Sequence, residues 1–168
     1  MEFITRYLDE VARVALYLRQ ADAVAIERLL ALLVQVRVAS GRLFVLGIGG
    51  SAANASHAAA DFRQRAGIEA YAATDNVAEL TARINDDEWE SAYAGWLTAS
   101  RLGPRDAVLI LSVGGGDDIR GISVPLINAI KYAKTMGAQV GAIVGRDGGF
   151  AAFAADVCVL VPTVNSAH

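Results

Sequence analysis

A chain of 168 residues has room for one domain with a sizeable core, and its 54% hydrophobic content and mean hydropathy of +0.37 are high for such a domain. Its 15 basic and 18 acidic side chains leave a net charge of −3 and a pI near 5.3, which argues against the basic patch of a nucleic-acid surface. Gln35 and Arg37 break the longest apolar run well short of the ~20 residues a membrane span requires, so no membrane partner is expected.

The surplus apolar surface is therefore expected between subunits of a homo-oligomer. Glu2, Asp9 and Glu10 leave the N-terminus without a signal-peptide core, and the expected location is the cytoplasm. The single cysteine, Cys158, has apolar neighbours and reads as a small buried hydrophobe with no internal disulfide.

In chain order, Phe3, Ile4, Tyr7, Leu8, Val11, Val14, Ala15 and Leu18 recur at three- and four-residue spacing and predict an amphipathic helix. Asp22 is placed to cap a second helix running to about Ser40, with Gly41 as its stop. That helix is apolar almost all round from Leu29 to Val34, so it should be covered on more than one side. An α/β sheet does not need two helices before its first strand, and residues 1–41 are read as oligomerisation helices ahead of an α/β core over 42–168.

The next stretch, Arg42 to Gln64, organises the rest. An apolar run breaks at Gly47, Gly49 and Gly50, and Ser51 opens an alanine-rich helix. Glycines let backbone approach an anion, the free N–H groups of a helix start point at it, and Ser51 as N-cap would add a hydroxyl. Ile68 to Thr74 predicts a second strand, and Val77 to Ile84 a helix stopping at Asn85-Asp86. Asp87 with Glu90 resembles a capping box for a helix whose Trp89, Tyr93, Trp96 and Leu97 share a core or interface face.

Gly103-Pro104 turns the chain into Ala107 to Val113, a continuous apolar run of the kind buried on both faces of a parallel sheet. A second glycine loop, Gly114-Gly115-Gly116-Asp117-Asp118, follows it. Ser123-Val124-Pro125 then opens a helix that stops at Gly137. Gln139 to Val144 and Asp156 to Val161 complete five strands, separated by Gly145-Arg146-Asp147-Gly148-Gly149.

Strands alternating with helices predict one three-layer, doubly wound α/β domain, with a five-stranded parallel sheet in the order 2-1-3-4-5 and ligands where strands 1 and 3 diverge. Both glycine-serine loops follow those strands, which points to an anion such as a sugar phosphate. A dinucleotide is the competing ligand, because Gly47, Gly49 and Ala52 loosely spell GxGxxA. Asp75 matches poorly the acidic residue that such a site needs ~20 residues on, so no nucleotide cofactor is expected.

GIGGSAANASH, TARINDD, LILSVGGGD and the GRDGG turn, in this order, resemble the sugar isomerase (SIS) domain, specifically the phosphoheptose isomerase family. The resemblance spans the whole chain. It implies a homotetramer with sites shared between subunits, interconverting sedoheptulose 7-phosphate and a heptose 7-phosphate for surface-polysaccharide synthesis. It also implies that Ser51, Ser112 and Ser123 bind phosphate beside Gly49 and Gly50, with an insertion before Ser123. Asn85 and Asp86 match its substrate-side pair. His57 and Asp61 match a His and Glu used for a divalent metal such as zinc and, for the Glu, proton transfer. Independently, a His and a carboxylate at i and i+4 lie on one helix face.

Four departures stand out. Ile48 replaces an Asn, Gly114 and the acidic pair Asp117-Asp118 stand where another phosphate-binding serine is expected, and Asp61 is one methylene short of the family's Glu. The chain ends at His168, before a last helix that carries a Gln and a second His in the family. That helix is expected to belong to the protein though absent from this sequence. A non-catalytic SIS module that binds a sugar phosphate or a protein partner is the alternative to an isomerase.

Overall fold

The computed structural model describes residues 2–165, and the chain end at His168 lies outside them. Helices α1 (Glu2–Ala21) and α2 (Ala23–Val38) precede strand β1 (Arg42–Leu46). Then follow α3 (Gly50–Arg65), β2 (Glu69–Ala72), α4 (Val77–Asp86), a 3₁₀ turn (Trp89–Ser91) and α5 (Ala92–Ala99). β3 (Ala107–Ser112), α6 (Val124–Thr135), β4 (Gln139–Val144), α7 (Gly149–Ala154) and β5 (Val157–Leu160) complete the described chain. All strand pairs are parallel, in the order β2-β1-β3-β4-β5, as the alternating pattern predicts. Leu46 is paired with Ile110, so Ser112 lies beyond the end of β1.

The sheet is buried on both faces. On one, Phe44, Leu46, Val108 and Ile110 meet Tyr93 and Leu97 of α5, Leu126 and Ile130 of α6 and Ala151 of α7. On the other, Leu43, Val45 and Leu109 meet Leu29, Leu32 and Val36 of α2 and Ala55 and Ala59 of α3. Small alanines let α3 sit close over β1 and β2. A Cβ at Gly141 would stand 2.7 Å from Leu29 Cδ1, so a bare backbone there makes room for α2.

α2 is therefore part of the core, not spare material: a parallel sheet needs cover on both faces, and this helix supplies it near β4 and β5. The division at residue 41 does not separate the oligomer helices from the core. α1 is different. Its apolar stripe stays in the open, with Phe3 65%, Ile4 62% and Leu8 58% exposed. Among the described residues no helix is long and apolar enough to cross a membrane.

Several local expectations change. Asp22 holds the N-cap position of α2 without capping it, because its carboxylate accepts the Leu160 N–H of β5 at 2.8 Å. α2 ends in a Schellman-type turn with Ser40 in the left-handed region (φ 50) and Gly41 N–H on Val36 O at 2.9 Å. Gly41 is required for another reason: a Cβ there would stand 1.8 Å from Arg105 O. Asp87 does not open a helix. It closes α4, and a 3₁₀ turn intervenes before α5 starts at Ala92. α7 has no counterpart in the predicted elements, because its six residues follow two glycines and are too few to show a period. Cys158 is half-buried, and burial, then the Asp22 carboxylate, push its thiol pKa up.

At the N-terminal ends of β1 and β3 lies Asp106, the one buried charged residue among those described. Its Oδ1 accepts the Arg42 backbone N–H at 2.8 Å and Nε at 3.2 Å. Its Oδ2 accepts Arg42 Nη2 at 2.7 Å and Gly103 N–H at 3.0 Å. Arg42 also donates to Ser100 O and Arg101 O at 2.8 and 2.9 Å, and lies over the Phe44 ring. Burial raises the Asp106 pKa, but the hydrogen bonds from the Arg42 side chain, the Arg42 N–H and the Gly103 N–H outweigh it, and the net shift is downward.

A depressed carboxyl pKa means stability that is present above the ordinary carboxylate range and lost as pH falls through the folded-state value. Asp106→Ala should lower the unfolding free energy by about 2–4 kcal/mol at pH 7, since it leaves the Arg42 and Gly103 N–H groups unpaired, while the Arg42 guanidinium keeps Ser100 O and Arg101 O. Urea titrations at a series of pH values should show the gap to the parent protein narrowing below about pH 4. A gap that is constant across that range would contradict the pairing.

Candidate functional site

The first loop is shaped by what glycine lacks. A Cβ at Gly47 would stand 2.3 Å from Ser51 O and 2.8 Å from Ala52 N, so only glycine lets α3 begin directly over the end of β1. The buried Tyr93 hydroxyl donates to Gly47 O at 2.7 Å. Burial pushes the Tyr93 pKa up to about 12, so this donor keeps its proton at any working pH. Gly49, at φ 63, is the N-cap, and Ala52 and Ala53 N–H groups bond to its carbonyl at 2.9 and 3.3 Å.

Ser51 is thus not the N-cap but a first-turn residue. The left-handed backbone that starts the helix is one that glycine adopts and serine rarely does. The Ser51 hydroxyl is left for other partners, beside the outward N–H groups of Gly50 and Ser51.

The second loop is held by its own serine and by its neighbour. Ser112 Oγ accepts Gly115 N–H at 3.1 Å. A Cβ at Gly115 would stand 1.8 Å from Gly148 O, and one at Gly149 would stand 2.3 Å from Gly114 O and Gly116 O. Phe150 and Ala151, at the start of α7, donate their N–H groups to Gly116 O and Gly115 O at 2.9 Å each. The GRDGG turn with α7 is a splint for the second loop.

The acidic pair does not oppose an anion here. Asp117 Oδ1 accepts the N–H groups of Ile119 and Arg120 at 3.0 Å each, its Oδ2 lies 3.4 Å from Arg120 Nε, and its backbone bridges Ile122. Asp118 pairs with Lys131 Nζ at 2.9 Å. The insertion is a compact turn whose charges are matched by its own Arg120 and by Lys131 of α6. It delivers Ser123 to the N-cap of α6 in the left-handed region (φ 55), with no side-chain cap bond.

An open cleft of ≈ 760 Å³ lies between the loops, lined in part by Ile48, Ser51, Ser112, Gly114, Ser123 and Arg146. A second groove shares Ser51 and Ser112 and continues along α1 to Asn54. Asn54 also borders a hollow holding His57, Asp61 and Arg65. Ser51, Asn54, Ala58, Asp61 and Arg65 follow alternate three- and four-residue steps, so one face of α3 leads from the cleft to the carboxylate. There Asp61 Oδ2 lies 3.4 Å from His57 Nε2, and Arg65 Nε donates to Oδ1 at 3.1 Å.

The structure thus brings Ser51, Ser112 and Ser123 to one cleft, with His57 and Asp61 in a separate hollow further along α3 that shares Asn54 with the groove. It does not bring Asn85 and Asp86 there. They end α4, exposed, with Asn85 Nδ2 on Asp86 Oδ1 at 2.9 Å. Among the described residues no group of three or more His, Cys, Asp or Glu forms, so His57 and Asp61 together offer two of the three or four protein ligands a zinc site takes. Arg65 also places a cation on the Asp61 carboxylate.

Sequence reading passed over Tyr93 as a support for the first loop, and over Arg65, Asn54 and Arg146. The α3 stripe spacing was a usable signal for Asn54 and Arg65. Nothing local marked the other two.

The SIS domain family matches residues 6–145. A phosphoheptose isomerase from Roseiflexus sp. is 37% identical over 134 residues, covering 76% of this chain and 64% of that protein. One from Thiobacillus denitrificans is 34% identical over 159 residues, covering 88% and 77%. The solved structure of phosphoheptose isomerase from Neisseria gonorrhoeae superposes with a TM-score of 0.87 at 27% identity, over 99% of this chain and 88% of that one. The chain thus spans just under two thirds of the Roseiflexus protein.

Two glycine substitutions test the loop geometry. Gly115→Ala, at φ 70 against Gly148 O, should cost about 2–4 kcal/mol in denaturant unfolding. Gly50→Ala, whose Cβ meets nothing within 4 Å, should fall within about 0.5 kcal/mol of the parent or be slightly more stable. Equal effects would contradict the splint.

Proposed function

The chain belongs to the phosphoheptose isomerase family of SIS-domain proteins, and on that footing we propose that it is an aldose–ketose isomerase interconverting sedoheptulose 7-phosphate and a heptose 7-phosphate. The observation that carries this reading is the joined course of cleft and α3. Three serine hydroxyls and the open N–H groups of a helix start face one cleft, and the same helix carries Asp61 about 15 Å along its axis from Ser51. The side chains on that stripe lean back toward the helix start and shorten the gap. This arrangement suits a long, extended sugar with its phosphate at Ser51, Ser112 and Ser123 and its carbonyl end toward Asp61.

In this reading Asp61 takes the proton from the carbon next to the carbonyl and returns it to the former carbonyl carbon. The carbonyl oxygen gains a proton while the neighbouring hydroxyl loses one, through an enediol. Arg65 holds Asp61 Oδ1, which leaves Oδ2 for the transfer and for His57. A divalent metal, which the family resemblance implies, finds too few ligands among this subunit's described residues, and no step is assigned to it. Asn85 and Asp86 take substrate only if a neighbouring subunit or movement of α4 brings them to it. The non-catalytic reading is not favoured, since the named relatives are isomerases.

Incubating the protein with sedoheptulose 7-phosphate in D₂O tests this directly. Deuterium is expected at the carbon adjacent to the carbonyl, and Asp61→Asn should abolish its entry by a factor of about 10² or more. Binding without any exchange would hand the case to a non-catalytic module.

The assembly we propose is a cytoplasmic homotetramer serving surface-polysaccharide synthesis. It is supported by the open stripe of Phe3, Ile4, Leu8 and Val11 on α1 and by the exposed Val24, Leu30 and Val38 of α2. Sedimentation at micromolar concentration should return about four times the 17.6 kDa chain mass. A monomer would count against it.

A further inference from the structure

Two neighbouring residues that line the cleft are each the opposite of what their backbone favours. Gly114 has no left-handed φ, so its conformation admits any side chain, yet it carries none. Arg146, between Gly145 and Asp147, sits at φ 54, where glycine is the low-strain residue. Its N–H donates to Thr163 Oγ1 at 3.2 Å, which helps hold that conformation. The two anomalies explain one another spatially: a Cβ at Gly114 would meet Arg146 Nη1 at 3.5 Å and Cδ at 3.8 Å. The guanidinium lies over the bare backbone of the second loop, and any longer side chain at 114 would compete for that place.

The charges around the cleft single out the same residue. Arg120 is engaged with Asp117 and Lys131 with Asp118, while Asp147 accepts the Gly149 N–H at 3.3 Å. Arg146 makes no ion pair among the described residues, and it borders both the cleft and the groove that share Ser51 and Ser112. An arginine kept in a strained backbone, beside a serine loop and without a carboxylate, has the charge and the fork that a phosphate dianion takes up.

Resting on the sugar-phosphate reading above, we infer that the Arg146 guanidinium is the cationic ligand of the substrate phosphate, seated in the room that Gly114 leaves. The serines and helix-start N–H groups then supply neutral donors, and Arg146 supplies the charge.

Calorimetric titration of the full chain with sedoheptulose 7-phosphate and with unphosphorylated sedoheptulose tests this. The parent protein should bind the phosphorylated sugar much more tightly. Arg146→Gln should weaken that binding about 10- to 100-fold and leave the unphosphorylated sugar within about twofold. A parent that discriminates between the two sugars, with an Arg146→Gln affinity unchanged, overturns this inference alone. A parent that does not discriminate overturns the sugar-phosphate reading and this inference with it. Should Arg146→Gln fail to fold, Arg146→Lys keeps the charge and loses the fork. A loss of about three- to tenfold is then expected, and no loss overturns the assignment.

Discussion

The clamp between Arg42 and Asp106 fixes where everything else can be. It joins the first residue of β1 to the residue just before β3, at the end of the sheet away from the cleft. Two parallel strands held in register at one end leave the other with a fixed offset, and here that offset carries Ser112 beyond Leu46. The two glycine loops leave the sheet from those unequal ends. A buried carboxylate with four donors is costly to break but gives direction, which apolar packing alone does not.

Above the sheet the site is built mainly from backbone. Gly47 admits the start of α3, Gly115 and Gly149 admit the GRDGG turn against the second loop, and Phe150 and Ala151 of α7 donate their N–H groups to the second loop's carbonyls. Side chains are then added where the backbone leaves openings. Tyr93 reaches from α5 through the core to hold Gly47, so the first loop depends on helix packing on the far side of the sheet. A cleft made this way is largely preformed, because rearranging it would mean unpacking glycine contacts that no side chain can relax.

The N-terminal helices divide the same apolar composition between two tasks. α2 uses Leu29, Leu32 and Val36 to close one face of the sheet, which accounts for part of the unusual hydrophobicity of the chain. α1 adds only Leu18 to the core of the subunit but lines the groove that runs from the serines toward Asn54, and its Glu10 meets Asn165. A helix that borders the site while exposing Phe3, Ile4 and Leu8 couples any subunit contact it makes to the shape of that groove.

The sheet order, the helices that follow β1 and β3 and the convergence of two glycine loops were legible in the sequence. Each rests on local periodicity and on residues whose backbone chemistry travels with them, such as the AVLILSV run or Gly47, Gly49 and Gly50. Serines 51, 112 and 123 could be placed near one another because parallel topology puts strand ends together. What the sequence left open depends on neighbours distant along the chain. Asp22 lost its capping role to Leu160, the space beside Gly41 is taken by Arg105 O, and Asp118 turns to Lys131 on the next helix. The pairing of bare Gly114 with Arg146 is of the same kind. A capping residue, a glycine or a charge has more than one partner open to it, and only the packed fold determines which partner comes within reach.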